Sequence, residues 1–175
     1  MSFSLYDATV PTFLQIAGSV RALLDKAQAH CAEQALPPAA LIEARIAPDM
    51  LPFAYQVKSV AVHSIGAIEG VRAGAFSPDT STPPATFAAL AARIDETIAA
   101  LEAVTREEVN GFIGRDMAFV LGERRIPFTA ETFLMTFTLP NFLFHATTAY
   151  DILRGRGLPI GKRDFLGRLR LKAPA

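Results

Sequence analysis

The chain has 175 residues, 51% of them apolar and 19% charged, with 17 lysines and arginines balanced by 17 aspartates and glutamates. That length suits one domain able to bury roughly 70% of its unfolded surface, with no need of a metal or disulfide staple. Neutrality removes the electrostatic drive towards nucleic acid or an acidic membrane surface, the lone Cys31 excludes an internal disulfide or a cysteine-rich zinc site, and no apolar run reaches the roughly 18 residues that span a bilayer.

Asp7 and Thr9 ahead of Pro11 predict a helix start, and Phe13, Leu14, Ala17, Val20, Leu24, Ala27 and Cys31 form one apolar stripe to about Gln34. Cys31 closes that stripe, which reads as a buried, inert thiol. Leu36-Pro-Pro breaks the helix. A second start comes next, with Asp49 as cap and Pro52 in the first turn, and one helix is expected to run through Phe53, Val57, Val60 and Ile68 to about Ala73. Gly66 and Gly70 lie within it and permit close helix approach.

Residues 74–85, rich in Gly, Pro, Ser and Thr, are expected to be a surface loop. Thr82 or Thr86 then caps a third helix whose stripe is Phe87, Leu90, Ala91, Ile94, Ile98, Leu101 and Val104, with Arg93, Asp95, Glu96 and Glu102 facing water. Met117–Leu121 and Arg124–Phe128 read as a two-stranded hairpin, its second strand confined to an edge by Pro127. A fourth helix, capped by Thr129, should run to about Arg154, with Phe133, Leu134, Phe137, Leu143, Phe144, Thr147, Thr148 and Ile152 on or near its buried side. Pro140 should kink it. The expected fold class is all-α: a four-helix bundle with a short hairpin between helices 3 and 4, in one domain over 1–175 (core about 4–167, basic tail 168–175).

Polar groups stand where apolar ones are expected on two helices. Gln56 and His63 are seven residues apart, almost eclipsed two turns along one face, with Ser59 between them; Asn141 and His145 are four apart on the fourth helix. If both faces point inward they make a polar pocket of Gln56, His63, Asn141 and His145. Tyr150 lies about 140° round from His145 and falls outside the set. The alternative is that each histidine is a hydrogen-bonded core or rim residue, and His30, at a helix end, complements the dipole. Lys162, Arg163, Arg168, Arg170 and Lys172 read as a solvated tail, since no aromatic stacking platform accompanies them.

Four motifs in order carry a resemblance: Ser4-Leu-Tyr-Asp-Ala-Thr-Val-Pro, Arg45-Ile-Ala-Pro-Asp-Met-Leu-Pro, Leu139-Pro-Asn-Phe-Leu-Phe-His-Ala-Thr-Thr-Ala-Tyr-Asp-Ile-Leu-Arg and Gly161-Lys-Arg-Asp-Phe-Leu-Gly. The chain resembles, from about Ser4 to Gly167, the family called domain of unknown function 1993, which is similar to the DinB-like (YfiT-like) superfamily. The resemblance implies an up-down-down-up four-helix bundle. It also implies, for many members, a divalent metal on three histidines, one on helix 2 and a His-x-x-x-His pair on helix 4, and for some a thiol-dependent transferase activity. In this sequence the pair falls on Asn141 and His145, so only the second histidine matches, while His63 or Gln56 occupies the place on helix 2. No cofactor is therefore expected; zinc or nickel on His63 and His145 is the alternative.

The functional expectation is a non-catalytic or small-ligand-binding bundle with its polar pocket between helices 2 and 4. The alternatives are a metal-dependent hydrolase or thiol transferase using His145, and an interaction protein whose apolar surplus makes a homodimer without pocket chemistry. The start of the chain lacks the basic-then-apolar pattern of a signal peptide, so a cytoplasmic location is expected, with a small molecule as partner and neither nucleic acid nor membrane.

Overall fold

Ser4 opens the first helical turn. The computed structural model describes residues 3–172, so the end of the expected tail, 173–175, lies outside it. The Ser4 hydroxyl accepts from Asp7 N–H and the Asp7 carboxylate accepts from Ser4 N–H, a capping box on the short α1 (Leu5–Ala8). Asp7 thus belongs to α1 and does not cap the long helix. That helix, α2 (Val10–Glu33), begins at Thr9, whose hydroxyl donates back to Leu5 O at 2.7 Å, with Pro11 in the first turn. Its stripe buries largely as the periodicity predicts, Phe13, Ala17, Val20, Leu24, Ala27 and Cys31 being inside and Leu14 half-buried at the edge. The proline break leads to one further turn, α3 (Ala39–Ile42).

The second expected helix is two. α4 (Phe53–Val62) and α5 (Ile65–Ala73) meet at His63 and Ser64, where the Ser64 backbone leaves the helical region and its hydroxyl donates to Val60 O at 2.7 Å. Pro52, not Asp49, holds the N-cap position of α4. α5 ends on Gly74 in the left-handed conformation (φ 73°), which suits a residue without Cβ.

The stretch expected to be loop begins with a strand, β1 (Ala75–Phe76), which pairs in parallel with β2 (Asp116–Leu121); β2 pairs antiparallel with β3 (Arg124–Thr129). The expected two-stranded hairpin is therefore part of a three-stranded sheet of order β1-β2-β3, with Pro127 on the edge strand. Gly70 lets β1 approach: a Cβ there would lie 2.9 Å from Phe76 Cβ.

Thr86 caps α6 (Phe87–Glu102), its hydroxyl accepting from Ala89 N–H at 3.1 Å, and α7 (Arg106–Asn110) comes next. The fourth helical segment starts with α8 (Ala130–Thr132), capped by Thr129, widens into a π-helical stretch over Phe133–Thr138, and continues as α9 (Leu139–Gly155). The irregularity expected from Pro140 is taken up in this widening, where Leu139 N–H reaches back five residues to Leu134 O. Each residue added to a turn rotates the rest of the helix by about 100°. The buried face after Pro140 is accordingly Phe142, Ala146, Ala149 and Leu153, with Thr148 and Ile152 buried as expected, while Phe144 (56% exposed) and Thr147 lie outside, contrary to the periodic reading. A last turn, α10 (Lys162–Leu166), docks on α2 through the Lys26–Asp164 ion pair and a hydrogen bond from Gln15 Nε2 to Leu166 O.

The chain is mostly helical with this small sheet. α2 packs on α6 and α9, and α4 on α9 and α6. One core lies among these helices, where the Phe13 and Phe142 rings meet edge-on with centroids 4.8 Å apart. A second, built on Val10, Ile68, Phe76, Phe112, Phe133 and Leu134, joins α5 and the π stretch to the sheet. Each fully buried phenylalanine contributes roughly 2–3 kcal/mol. Among the described residues no helix is long and apolar enough to cross a membrane.

Candidate ligand site between the broken helices

α4 carries only one charge, Lys58, in ten residues and is buried nearly all round. A helix of that kind lies inside, and its polar side chains must find partners there. Gln56, 2% exposed, donates from Nε2 to Leu51 O at 2.8 Å and turns Oε1 to His145 Nδ1 on α9, 2.7 Å away. A backbone carbonyl only accepts, which orients the Gln56 amide. The amide oxygen only accepts in turn, so His145 carries its proton on Nδ1 and keeps its free lone pair on Nε2.

His63 closes α4 and stacks on His145, with centroids 5.5 Å apart and planes at 15°. It also lies against Phe76 and Phe137, at 5.6 and 5.9 Å. Its Nδ1 is buried without a hydrogen-bond partner among the described residues. Burial lowers the His63 pKa to about 4, helped by the neighbouring His145, and burial lowers that of His145 to about 4. Both imidazoles are neutral at neutral pH.

Asn141 turns elsewhere. Its amide nitrogen donates to Phe137 O at 2.7 Å, supplying a side-chain donor to the carbonyl of the widened turn. These four residues line or support a cavity of about 170 Å³ walled by Tyr55, Phe76, Phe119 and Phe137, with Ser59 on its α4 side. Gln56 stands behind His145 and not on the cavity surface. Tyr150 packs against Phe165, away from the cavity. Cys31 is buried in the helical core, where burial pushes its thiol pKa up.

Two members of the site escape a periodic reading. Lys58, 2% exposed, donates from Nζ to the carbonyls of Asp79 and Ser81, at 2.9 and 2.5 Å, and lies 3.0 Å from the Asp79 carboxylate. Asp79 also accepts from Ser81 N–H and O–H, at 2.9 and 2.5 Å. Burial works against its ionised form, but the Ser81 donors and the Lys58 ammonium prevail and lower its pKa to about 2. This latch ties residues 79–81 to α4 across the cavity wall. The lone charge of α4 was the available signal: a cation in so apolar a helix requires an anion. Arg93, expected in water, leans on Asp79 at 3.5 Å, with Nε buried and unpartnered among the described residues.

The donor set does not fit the three-histidine metal centre that the resemblance implies. Stacked imidazoles point their lone pairs in parallel planes and not at one ion, His145 Nδ1 is engaged by Gln56, and Asn141 presents an N–H donor to the backbone. Among the described residues no three His, Cys, Asp or Glu side chains gather as a metal-binding group.

The sequence matches the family described as domain of unknown function (DUF1993) over residues 5–166, and the chain belongs to that family. It is similar to a DinB family member protein from Shewanella denitrificans, whose crystal structure aligns with a TM-score of 0.81 and 26% sequence identity over 97% of this chain and 96% of that one. No curated protein matches the sequence.

Proposed function

We propose that this DUF1993 member is a small-molecule-binding protein: a single domain on an up-down-down-up four-helix bundle, whose ligand occupies the cavity between α4, the π stretch and the sheet. The adjacency of α2 to α6 and α9, and of α4 to the same two helices, supports the bundle. The ligand reading rests on polar valence beside a void: His145 lines the cavity, and with its proton held on Nδ1 by Gln56 its Nε2 lone pair meets no protein donor among the described residues. A ligand donor that meets that lone pair adds about 0.5–1.5 kcal/mol net.

Size and charge narrow the ligand. An apolar cavity of roughly 150 Å³ accepts benzene, so about 170 Å³ suits a single ring. Neutral imidazoles and aromatic walls, with the lining Asp79 carboxylate already held by Lys58 and Ser81, favour an uncharged molecule with one group that hydrogen-bonds an imidazole nitrogen. The fixed tautomer of His145 would also suit a general base, but a pKa of about 4 gives it little proton affinity at neutral pH, so binding is the preferred reading.

Calorimetric titration at pH 7.5 with phenol and with toluene tests this. Phenol should bind about tenfold tighter than toluene, the worth of one net hydrogen bond, and His145→Phe should abolish the difference. Equal affinities in the parent protein, or no saturable binding of either probe, would reject the reading.

A further inference from the structure

A second and larger concavity lies on the opposite partnership of helices. It measures about 780 Å³ and runs between α2, α6 and the C-terminal segment, sharing no residue with the histidine cavity. Its floor is the exposed side of α2 at Gly18 and Ala22, and its walls include Pro11, Leu14, Leu23 and Ile98. A Cβ built on Gly18 would meet nothing within 4 Å among the described residues, so the groove floor is open at that point.

The rim has one dominant sign. Lys26, Arg163, Arg168 and Arg170 line it against Asp164 and Glu102. Asp164 is already held by Lys26, and among the described residues the three arginines form no ion pair. The segment carrying them is pinned: Gln15 Nε2 donates to Leu166 O at 2.8 Å, and Gly167 (φ 59°) passes so close to Ser19 that a Cβ would lie 2.2 Å from its hydroxyl. The C-terminal run is thus a fixed wall of the groove as far as Gly167, with Arg168 and Arg170 following directly after it.

We infer that this groove is a second binding site, for a free single-chain anionic amphiphile: a long-chain carboxylate whose tail lies along Gly18 and Ala22 and whose head group meets the unpaired arginines. The volume falls inside the roughly 300–1,000 Å³ of small-molecule sites, and an apolar trough with a few charged groups at its edge is their usual lining. Charge complementarity selects the carboxylate over an amine or a neutral detergent, and Glu102 adds repulsion against a head group placed at its end.

The test is a titration of the full chain with laurate, octanoate and dodecylamine below their micellar concentrations. Laurate should bind saturably, at least tenfold tighter than octanoate because four methylenes are lost, and at least tenfold tighter than dodecylamine. Gly18→Leu fills the trough where there is open space and should weaken laurate at least tenfold while the protein stays folded; Arg163→Ala, Arg168→Ala and Arg170→Ala together should erase the preference for the anion. Equal binding of dodecylamine, or laurate binding unchanged in Gly18→Leu, overturns the proposal. So does co-sedimentation with phosphatidylglycerol vesicles without binding of free laurate, or a dimer in light scattering that Gly18→Leu abolishes without laurate binding.

Discussion

Two halves of the helical scaffold differ in regularity. α2 and α6 run unbroken for 24 and 16 residues, whereas α4 gives way to α5 at His63–Ser64 and α9 is preceded by the six-residue π stretch. Among the described residues, six of the nine that are polar or charged and buried (Gln56, Lys58, Ser59, Ser64, Thr138 and Thr148) lie on the broken half. A helix that is apolar on one stripe can stay straight. One that must also aim amides, imidazoles and an ammonium inward gives up backbone hydrogen bonds and recovers them from side chains, as Ser64 and Asn141 do. Departures of this kind concentrate where a π turn or a helix break re-aims side chains.

The largest expected difference between the halves is in their response to acid. The unfolded chain takes up protons on histidine near pH 6.5, but folded His63 and His145 resist until about 4. The unfolded state therefore binds more protons in that interval, so stability is complete above pH 6.5 and is lost as pH falls towards 4. Each histidine contributes at most about 3 kcal/mol to the loss. Urea unfolding followed from pH 7.5 to 4.5 should show it, and His63→Phe should flatten the profile. A parent protein equally stable at both ends of that range would show that the histidines are not buried as described.

Next in size is the latch. Lys58→Met leaves the Asp79 carboxylate and two carbonyls without their cation, and breaking a buried pair from one side costs about 3 kcal/mol. Arg21→Ala on regular α2 removes partners at Asp25 and Asp95 that are more than half exposed and should cost within about 1 kcal/mol. A double-mutant cycle of Lys58→Met with Asp79→Asn measures the coupling, and a coupling below about 1 kcal/mol would make the latch no stronger than a surface pair.

This asymmetry also decides how much is legible in the sequence. The stripes of α2 and α6 are legible because they keep one period, and Gln56 and His145 stand out as polar groups on apolar faces. The register of α9 is only partly legible: Thr148 and Ile152 are buried as expected, but a period carried through Pro140 without the extra residues of the π stretch places Phe144 inside and misses Phe142 and Ala146. β1 is only two residues long and has no period to detect. Lys58 and Asp79 are 21 residues apart, and that spacing has no local signature. Asn141 is conspicuous in the sequence because it stands where a histidine is expected, but its bond to Phe137 O depends on the widened turn, which the sequence does not announce.

The smallest effect is the most direct comparison, because one substitution should change sign between the halves. At Gly70, alanine places a Cβ 2.9 Å from Phe76 Cβ and 3.3 Å from Ala75 O, so β1 must move; overpacking of about 1–3 kcal/mol outweighs the roughly 1 kcal/mol of helix propensity gained. Because Phe76 also walls the histidine cavity, Gly70→Ala should weaken phenol binding as well. At Gly18 the new methyl meets nothing within 4 Å, and the propensity gain stands alone, so Gly18→Ala should stabilise by up to about 1 kcal/mol. Thermal unfolding of the two variants, measured together, reads the pair. A stabilising Gly70→Ala would mean that β1 is not seated tightly on α5, and the cavity it encloses would then be looser than a one-ring ligand requires.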